Sequence, residues 1–146
     1  MFRKLKNVFY IGAALFLTSV ATHAQNQPPQ DLPLPLIEAH GEIIHHPAHA
    51  YELATNLLAP LENSGNTNAI AYAKAVQAQA LNRLGRSDEA YNLVINLLDQ
   101  DALANTIPHV QAELFFAMGQ AQSMQGSLAE AFMSFQKAHD LSLIHI

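Results

Sequence analysis

The side chains best suited to chemistry lie in a short segment rich in histidine. They are His40, Glu42, His45, His46 and His49. Imidazoles at this density could bind zinc or copper, and they could also sense acidification. The spacing is poor for a metal site, because His45 and His49 share a helical face only if the helix runs through Pro47. We therefore interpret the segment as a polar turn in which Pro47 opens the next helix, and metal binding is the alternative.

No other group of residues suggests catalysis. The sequence has no nucleophile–base arrangement and no glycine-rich phosphate loop, and it lacks the cysteine that a disulfide or a thiolate metal site needs. We therefore expect no catalytic residue, no metal and no cofactor in this chain. A longer gene product could still carry a catalytic domain downstream.

Residues 1–24 have the layout of a secretory signal peptide. A basic start (Arg3 to Lys6) precedes an almost wholly apolar run from Val8 to Val20, and cleavage is expected after Ala24. The apolar run is shorter than the roughly 20 residues that a membrane span needs. Because there is no cysteine for a lipid anchor, the sequence predicts an exported protein of the Gram-negative periplasm, with an uncleaved membrane anchor as the alternative.

Cleavage of the signal peptide would change the charge of the protein. The formal net charge is −5 at pH 7, and loss of Arg3, Lys4 and Lys6 lowers it to −8. A polyanion such as DNA or RNA would be repelled at long range. We therefore expect no nucleic acid among the partners.

A segment beginning at His49 recurs from Glu89 and, in looser form, from Glu130. Self-similarity at this spacing, about 40 residues, is typical of stacked supersecondary units. Apolar residues follow helical spacing, and sustained alternation of the strand type is missing. The sequence therefore predicts an all-α chain of antiparallel helical hairpins.

Turn signals divide the chain into elements. Gly85 and Gly126 are expected to end helices in the left-handed conformation, and Ser127 with Glu130 forms a capping-box pattern. Residues 25–35 predict an extended, proline-rich linker. The predicted helices are Leu36–His45, Ala48–Leu58, Asn68–Leu84, Asp88–Leu98, Pro108–Gln125 and Leu128–Leu141.

The last hairpin resembles the tetratricopeptide repeat. The residues that carry the likeness are Phe115, Met118, Gly119, Ala131, Phe135 and Ala138. A glycine inside a helix costs about 1 kcal/mol relative to alanine, and a closely approaching partner helix would explain Gly119. We expect Ala131 to meet Gly119, with Phe135 filling the space one turn further on.

The resemblance covers residues 36–140, about three hairpins, and is strongest from Ala71 onward. The middle hairpin repeats the pattern at Ala78, Leu81, Gly85, Ala90, Val94 and Leu97. It departs from the family where Lys74 and Gln77 replace large apolar residues, and in the last hairpin Gln122 replaces an expected aromatic or aliphatic residue. A spacing near 40 also exceeds the family's usual 34 residues, and the surplus is expected in loops at 58–67 and 99–108. The resemblance implies a right-handed solenoid.

In that family the first helix of each hairpin lines a concave groove that receives an extended or helical peptide. The resemblance therefore implies a protein or peptide partner bound by Tyr72, Gln79, Asn82, Arg83, Glu113, Phe116, Gln120 and Ser123. The alternative is that Tyr72 and Phe116 only fill contacts between units. Because Arg83 is the only cation on this face, a basic clamp for a peptide's terminal carboxylate is not expected.

Residues 141–146 have a second interpretation. They are also the in-frame translation of a transposase mosaic-end adapter used to prepare sequencing libraries, so we expect an adapter-derived end on an N-terminal fragment. The leading hypothesis is a periplasmic interaction module without catalysis. The alternatives are a His-rich metal-binding protein and the sensory region of a truncated membrane-anchored signalling enzyme, such as a diguanylate cyclase or histidine kinase. Contact with a membrane is expected only through a missing C-terminal segment or an uncleaved signal.

Overall fold

The computed structural model describes residues 32–99 and 101–144. Within these ranges the chain forms six α-helices and one short 3₁₀ helix (Asp101–Asn105), without any strand. The α-helices are α1 (Leu34–Glu42), α2 (Pro47–Ser64), α3 (Thr67–Arg83), α4 (Ser87–Leu98), α5 (Pro108–Met124) and α6 (Leu128–Leu143). The all-α prediction is confirmed. The predicted signal peptide and most of the predicted linker lie outside the described residues.

Helix α3 lies at the centre of the packing. It contacts α1, α2, α4 and α5, and most of its side chains are buried. Alanine recurs along it, and Ala69, Ala73 and Ala75 are fully buried. Small side chains let neighbouring helices approach from several sides, and larger residues such as Val76 then fill the spaces between them.

The remaining contacts follow chain order. Each helix packs on the next one along the chain, from α1 on α2 to α5 on α6. Short turns join most of these helices, which makes sequence neighbours antiparallel. The first helices α1, α3 and α5 are linked by the α1–α3 and α3–α5 contacts. In the part of the chain that the structure describes, no helix is long and apolar enough to cross a membrane.

Two helices end at glycines, as predicted. Gly85 and Gly126 have φ angles of 76° and 83°, in the left-handed region that glycine adopts without strain. After Gly85 the amide of Arg86 donates to the carbonyl of Leu81 at 2.9 Å, which gives the helix end a Schellman motif. The Gly126 turn repeats this arrangement. The predicted ends of α3 and α5 therefore agree with the observed ends to within one residue.

The capping box predicted at Ser127 is wrong. The Ser127 side chain makes no capping hydrogen bond. The Ser127 amide already donates to the carbonyl of Gln122 at 2.9 Å, because it closes the preceding Schellman turn. It is therefore not left over for the Glu130 carboxylate. A side-chain cap occurs instead at Asn66, whose Oδ1 accepts from the Ala69 amide at 3.0 Å.

Both predicted loops are partly helical. Helix α2 continues past Leu58 and through Pro60 to Ser64, and the second segment contains the 3₁₀ helix. Leu61 is buried one turn after Leu57 and Leu58, which pack against the core, so the apolar face of α2 continues beyond the predicted end. Similarly, α1 begins at Leu34 rather than Leu36, because Pro35 fits in a first turn.

The atoms nearest to Gly119 belong to Phe135 rather than to Ala131, the residue expected to meet it. A Cβ atom on Gly119 would lie 2.8 Å from the Phe135 ring. Ala131 is the buried residue one turn earlier on α6. The aromatic ring, rather than the small side chain, therefore occupies the space that the glycine leaves.

Candidate binding groove

A cavity of about 600 Å³ opens on the face where α1, α3, α5 and α6 meet. The predicted groove residues that line it are Gln79, Arg83, Glu113, Phe116 and Gln120. The remaining wall comes from the end of α1 and the turn that follows it, and from α6. We refer to this cavity as the groove.

The carboxylate of Glu113 forms the polar centre of the groove. Its Oε2 atom accepts a hydrogen bond of 2.6 Å from Nε2 of Gln79 and lies 3.2 Å from Nε2 of His40. The imidazole nitrogen must carry the hydrogen, because a carboxylate only accepts. Three helices therefore contribute to one hydrogen-bonded cluster: α1 through His40, α3 through Gln79 and α5 through Glu113.

The cluster shifts the titration of both charged members. The hydrogen bond to Glu113 raises the pKa of His40, against the opposing effect of burial. Burial alone would raise the pKa of Glu113, but the hydrogen bond and charge of His40, with Gln79 and His109, hold it below its ordinary value. The pair is thus biased towards an imidazolium beside a carboxylate.

An apolar wall faces this cluster. The rings of Phe116 and Phe135 lie 5.6 Å apart between centroids and are tilted by 56°. Phe116 is 41% exposed and Ile44 is 65% exposed, so both present apolar surface to the solvent. Ile43 and Ala138 complete the wall. An apolar surface beside a few polar groups is the usual composition of a ligand site.

Two polar groups of the groove lack a partner among the described residues. The Arg83 side chain is exposed and makes no ion pair there, whereas Arg86 pairs with Glu89 at 2.6 Å. The buried Oε1 atom of Gln120 has no hydrogen-bond partner in the same part of the chain. The Arg83 guanidinium is therefore available at the groove, whereas the unpartnered Gln120 oxygen is covered by its surroundings.

The other three predicted residues do not line the groove. The Tyr72 ring is buried between the imidazoles of His40 and His109, at centroid distances of 5.8 and 5.9 Å. Burial, and then the charge of Glu113, raise the pKa of its hydroxyl. Asn82 is buried and donates to the Ala117 carbonyl at 2.9 Å, which joins α3 to α5. Ser123 is exposed outside the groove lining.

Sequence reasoning missed nine residues that line the groove, among them His40, Ile44, Phe135 and His139. Phe135 was expected to fill the space one turn beyond Gly119, and its ring both lies against Gly119 and lines the groove. His40 could have been recognised only through its acidic partner, Glu113, which lies 73 residues further along the chain. One sequence without its fold does not reveal such a pair.

The histidine segment does not converge on one point. His40 turns towards α5, and His45 and His46 are exposed. The Nδ1 atom of His49 lies 4.0 Å from Oε2 of Glu42. Over residues 32–99 and 101–144, no three histidine, aspartate or glutamate side chains come together in a way that could hold a metal ion.

Comparisons with known proteins give no match. No protein-family model matches the chain, and no curated protein or solved structure is significantly similar to it.

Proposed function

We propose that this chain is an exported, periplasmic module that binds a peptide or a segment of another protein in the groove, without catalytic activity of its own. The observation that carries the proposal is the groove itself. Its volume of about 600 Å³ lies within the range of ligand sites, and its apolar wall stands beside a few polar groups.

The packing of the helices supports a tetratricopeptide-like stack as the scaffold. Helices α1, α3 and α5 are in contact with one another through α3, and each is followed by a second helix. Buried Ala50, Ala90 and Ala131 occupy matching positions on α2, α4 and α6. In such a stack the first helices form the concave surface, and the groove is lined by these three helices together with α6.

The chemistry of the groove indicates how a peptide would be recognised. An apolar or aromatic side chain would pack against Phe116, Phe135 and Ile44, and remove their exposed surface from water. The exposed guanidinium of Arg83 could bond to peptide groups at the rim. The carboxylate of Glu113 already accepts hydrogen bonds from His40 and Gln79, so we expect it to hold the walls of the groove together rather than to bind the peptide.

The proposal can be tested with peptides selected from a random linear library on the immobilised protein. Fluorescence anisotropy would then compare the selected peptides on the wild type and on Phe116→Ser. Because aromatic anchors dominate interface energies, the substitution is expected to weaken binding by about tenfold or more.

Phe132→Ser provides the matched control. Phe132 on α6 is 68% exposed, but it does not line the groove. Its substitution should leave the affinity unchanged. Equal affinity of the wild type and Phe116→Ser, or loss of binding in Phe132→Ser alone, would place the peptide elsewhere and overturn the proposal.

A further inference from the structure

The contact between His40 and Glu113 connects two helices that are far apart in the chain. Helix α1 is the first helix of the described chain and packs on α2 and α3. Its His40 side chain reaches across to Glu113 on α5, where Gln79 of α3 bonds to the same carboxylate oxygen. The contact is therefore a polar link between α1 and α5, which are not neighbours in the chain.

The surroundings of this link are partly protected from water. The side chains of His40 and Glu113 are 36% and 19% exposed, and the Tyr72 ring lies against the imidazole. Partial burial makes a charged hydrogen bond stronger than the same contact at an open surface. At the same time, the remaining exposure of His40 allows protons to exchange with the solvent.

We propose that the His40–Glu113 contact is a proton-operated clasp, which holds α1 against α5 under mildly acidic conditions and loosens as the imidazole loses its proton. The clasp goes beyond peptide binding and does not depend on it. Apolar burial of Leu36, Ala39 and Ile43 keeps α1 folded onto its neighbours in both states. The expected change is therefore a loosening of one wall of the groove rather than unfolding.

The direction of the pH dependence follows from the two pKa shifts. The pKa of His40 is raised above 6.5, so its contribution is complete below 6.5 and is lost as the pH rises through the raised value. The pKa of Glu113 is lowered below 4.5, so its contribution is complete above 4.5 and is lost as the pH falls through the lowered value. The clasp is strongest between these limits.

Other titratable groups lie on the helices around the clasp. On α2, which packs on α1, His49 lies 4.0 Å from Glu42. Helix α3 contributes the buried Tyr72 hydroxyl and the Arg83 guanidinium at the rim, and α5 contributes His109, whose charge acts on Glu113. On α6, His139 lines the same groove. None of these groups hydrogen-bonds to the Glu113 carboxylate, whereas His40 does. We therefore assign the proton switch to His40.

The first test is amide hydrogen exchange of α1 in the full chain, expressed as protection factors so that intrinsic rates cancel. Loss of a partly exposed charged hydrogen bond should make α1 protection about three- to fivefold lower at about pH 8.5 than at about pH 6. His40→Gln should abolish this difference. His45→Gln removes an exposed histidine of the turn after α1 and should retain it.

The second test follows the imidazole resonances of His40 by NMR as the pH is varied. In Glu113→Gln the midpoint of the His40 titration should fall, because the carboxylate that favours the imidazolium is gone. Equal α1 protection at both pH values would overturn the proposal. So would the same pH response in His40→Gln, or an unchanged His40 midpoint in Glu113→Gln.

Discussion

At the scale of single residues, two of the three departures from the repeat pattern, Gln77 and Gln122, are explained by polar partners on the facing helix. Gln77 is buried and donates to Oγ1 of Thr55 at 2.9 Å, from α3 to α2. Gln122 on α5 accepts from Oγ of Ser134 on α6 at 2.7 Å. Each glutamine occupies a position expected to be apolar, and a hydroxyl on the neighbouring helix satisfies its amide. The sequence contained both partners of each pair, but only the fold shows which ones meet.

Gly119 offers the sharpest test of side-chain packing. We expect Gly119→Ala to lower the free energy of unfolding by about 1–2 kcal/mol, because overpacking against Phe135 outweighs the gain in helix propensity. Urea denaturation followed by circular dichroism would measure the change.

Gly41→Ala is the matched control for this substitution. Gly41 also lies in a helix, and a Cβ atom there would have no atom within 4 Å. Its substitution should be neutral or stabilising by up to about 1 kcal/mol. If both alanine variants gained stability, the Phe135 ring would not be held against α5.

At the scale of elements, glycine turns were predictable from the sequence and serine caps were not. A glycine after a helical segment acts through its own backbone, so Gly85 and Gly126 could be interpreted without their surroundings. A capping box needs an amide that is still unbonded, and the Ser127 amide is used by the preceding helix. The length of α2 was also missed, because the helix continues past Leu58 and through Pro60 to Ser64, with Leu61 buried on it.

The two candidate caps give opposite expectations. Asn66→Ala removes the side-chain acceptor of the Ala69 amide at the start of α3, and should cost about 1 kcal/mol of stability. Ser127→Ala removes no capping bond and should stay within about 0.5 kcal/mol of the wild type. Chemical denaturation of both variants would check this. A larger loss in Ser127→Ala than in Asn66→Ala would contradict the cap assignment.

At the scale of the whole molecule, the sequence predicted the all-α class and five residues of the groove lining. It left open whether Tyr72 only fills contacts between units, and it did not predict that Asn82 would be buried. Helical spacing assigns residues to a face of α3, but α3 is enclosed on several sides and has little open face. Residues of α6 also line the groove. The repeat pattern assigned the groove to the first helix of each hairpin and so did not predict them.

The central claim is that the groove receives a peptide. Its most direct test is methyl NMR of the protein titrated with a peptide selected from the random library. We predict chemical-shift changes at Ile43, Ile44 and Ala138, which line the groove, with no change at Ile70 and Leu103, which line a separate small cavity. Shifts confined to Ile70 and Leu103, or to exposed Met133 on α6, would contradict the account.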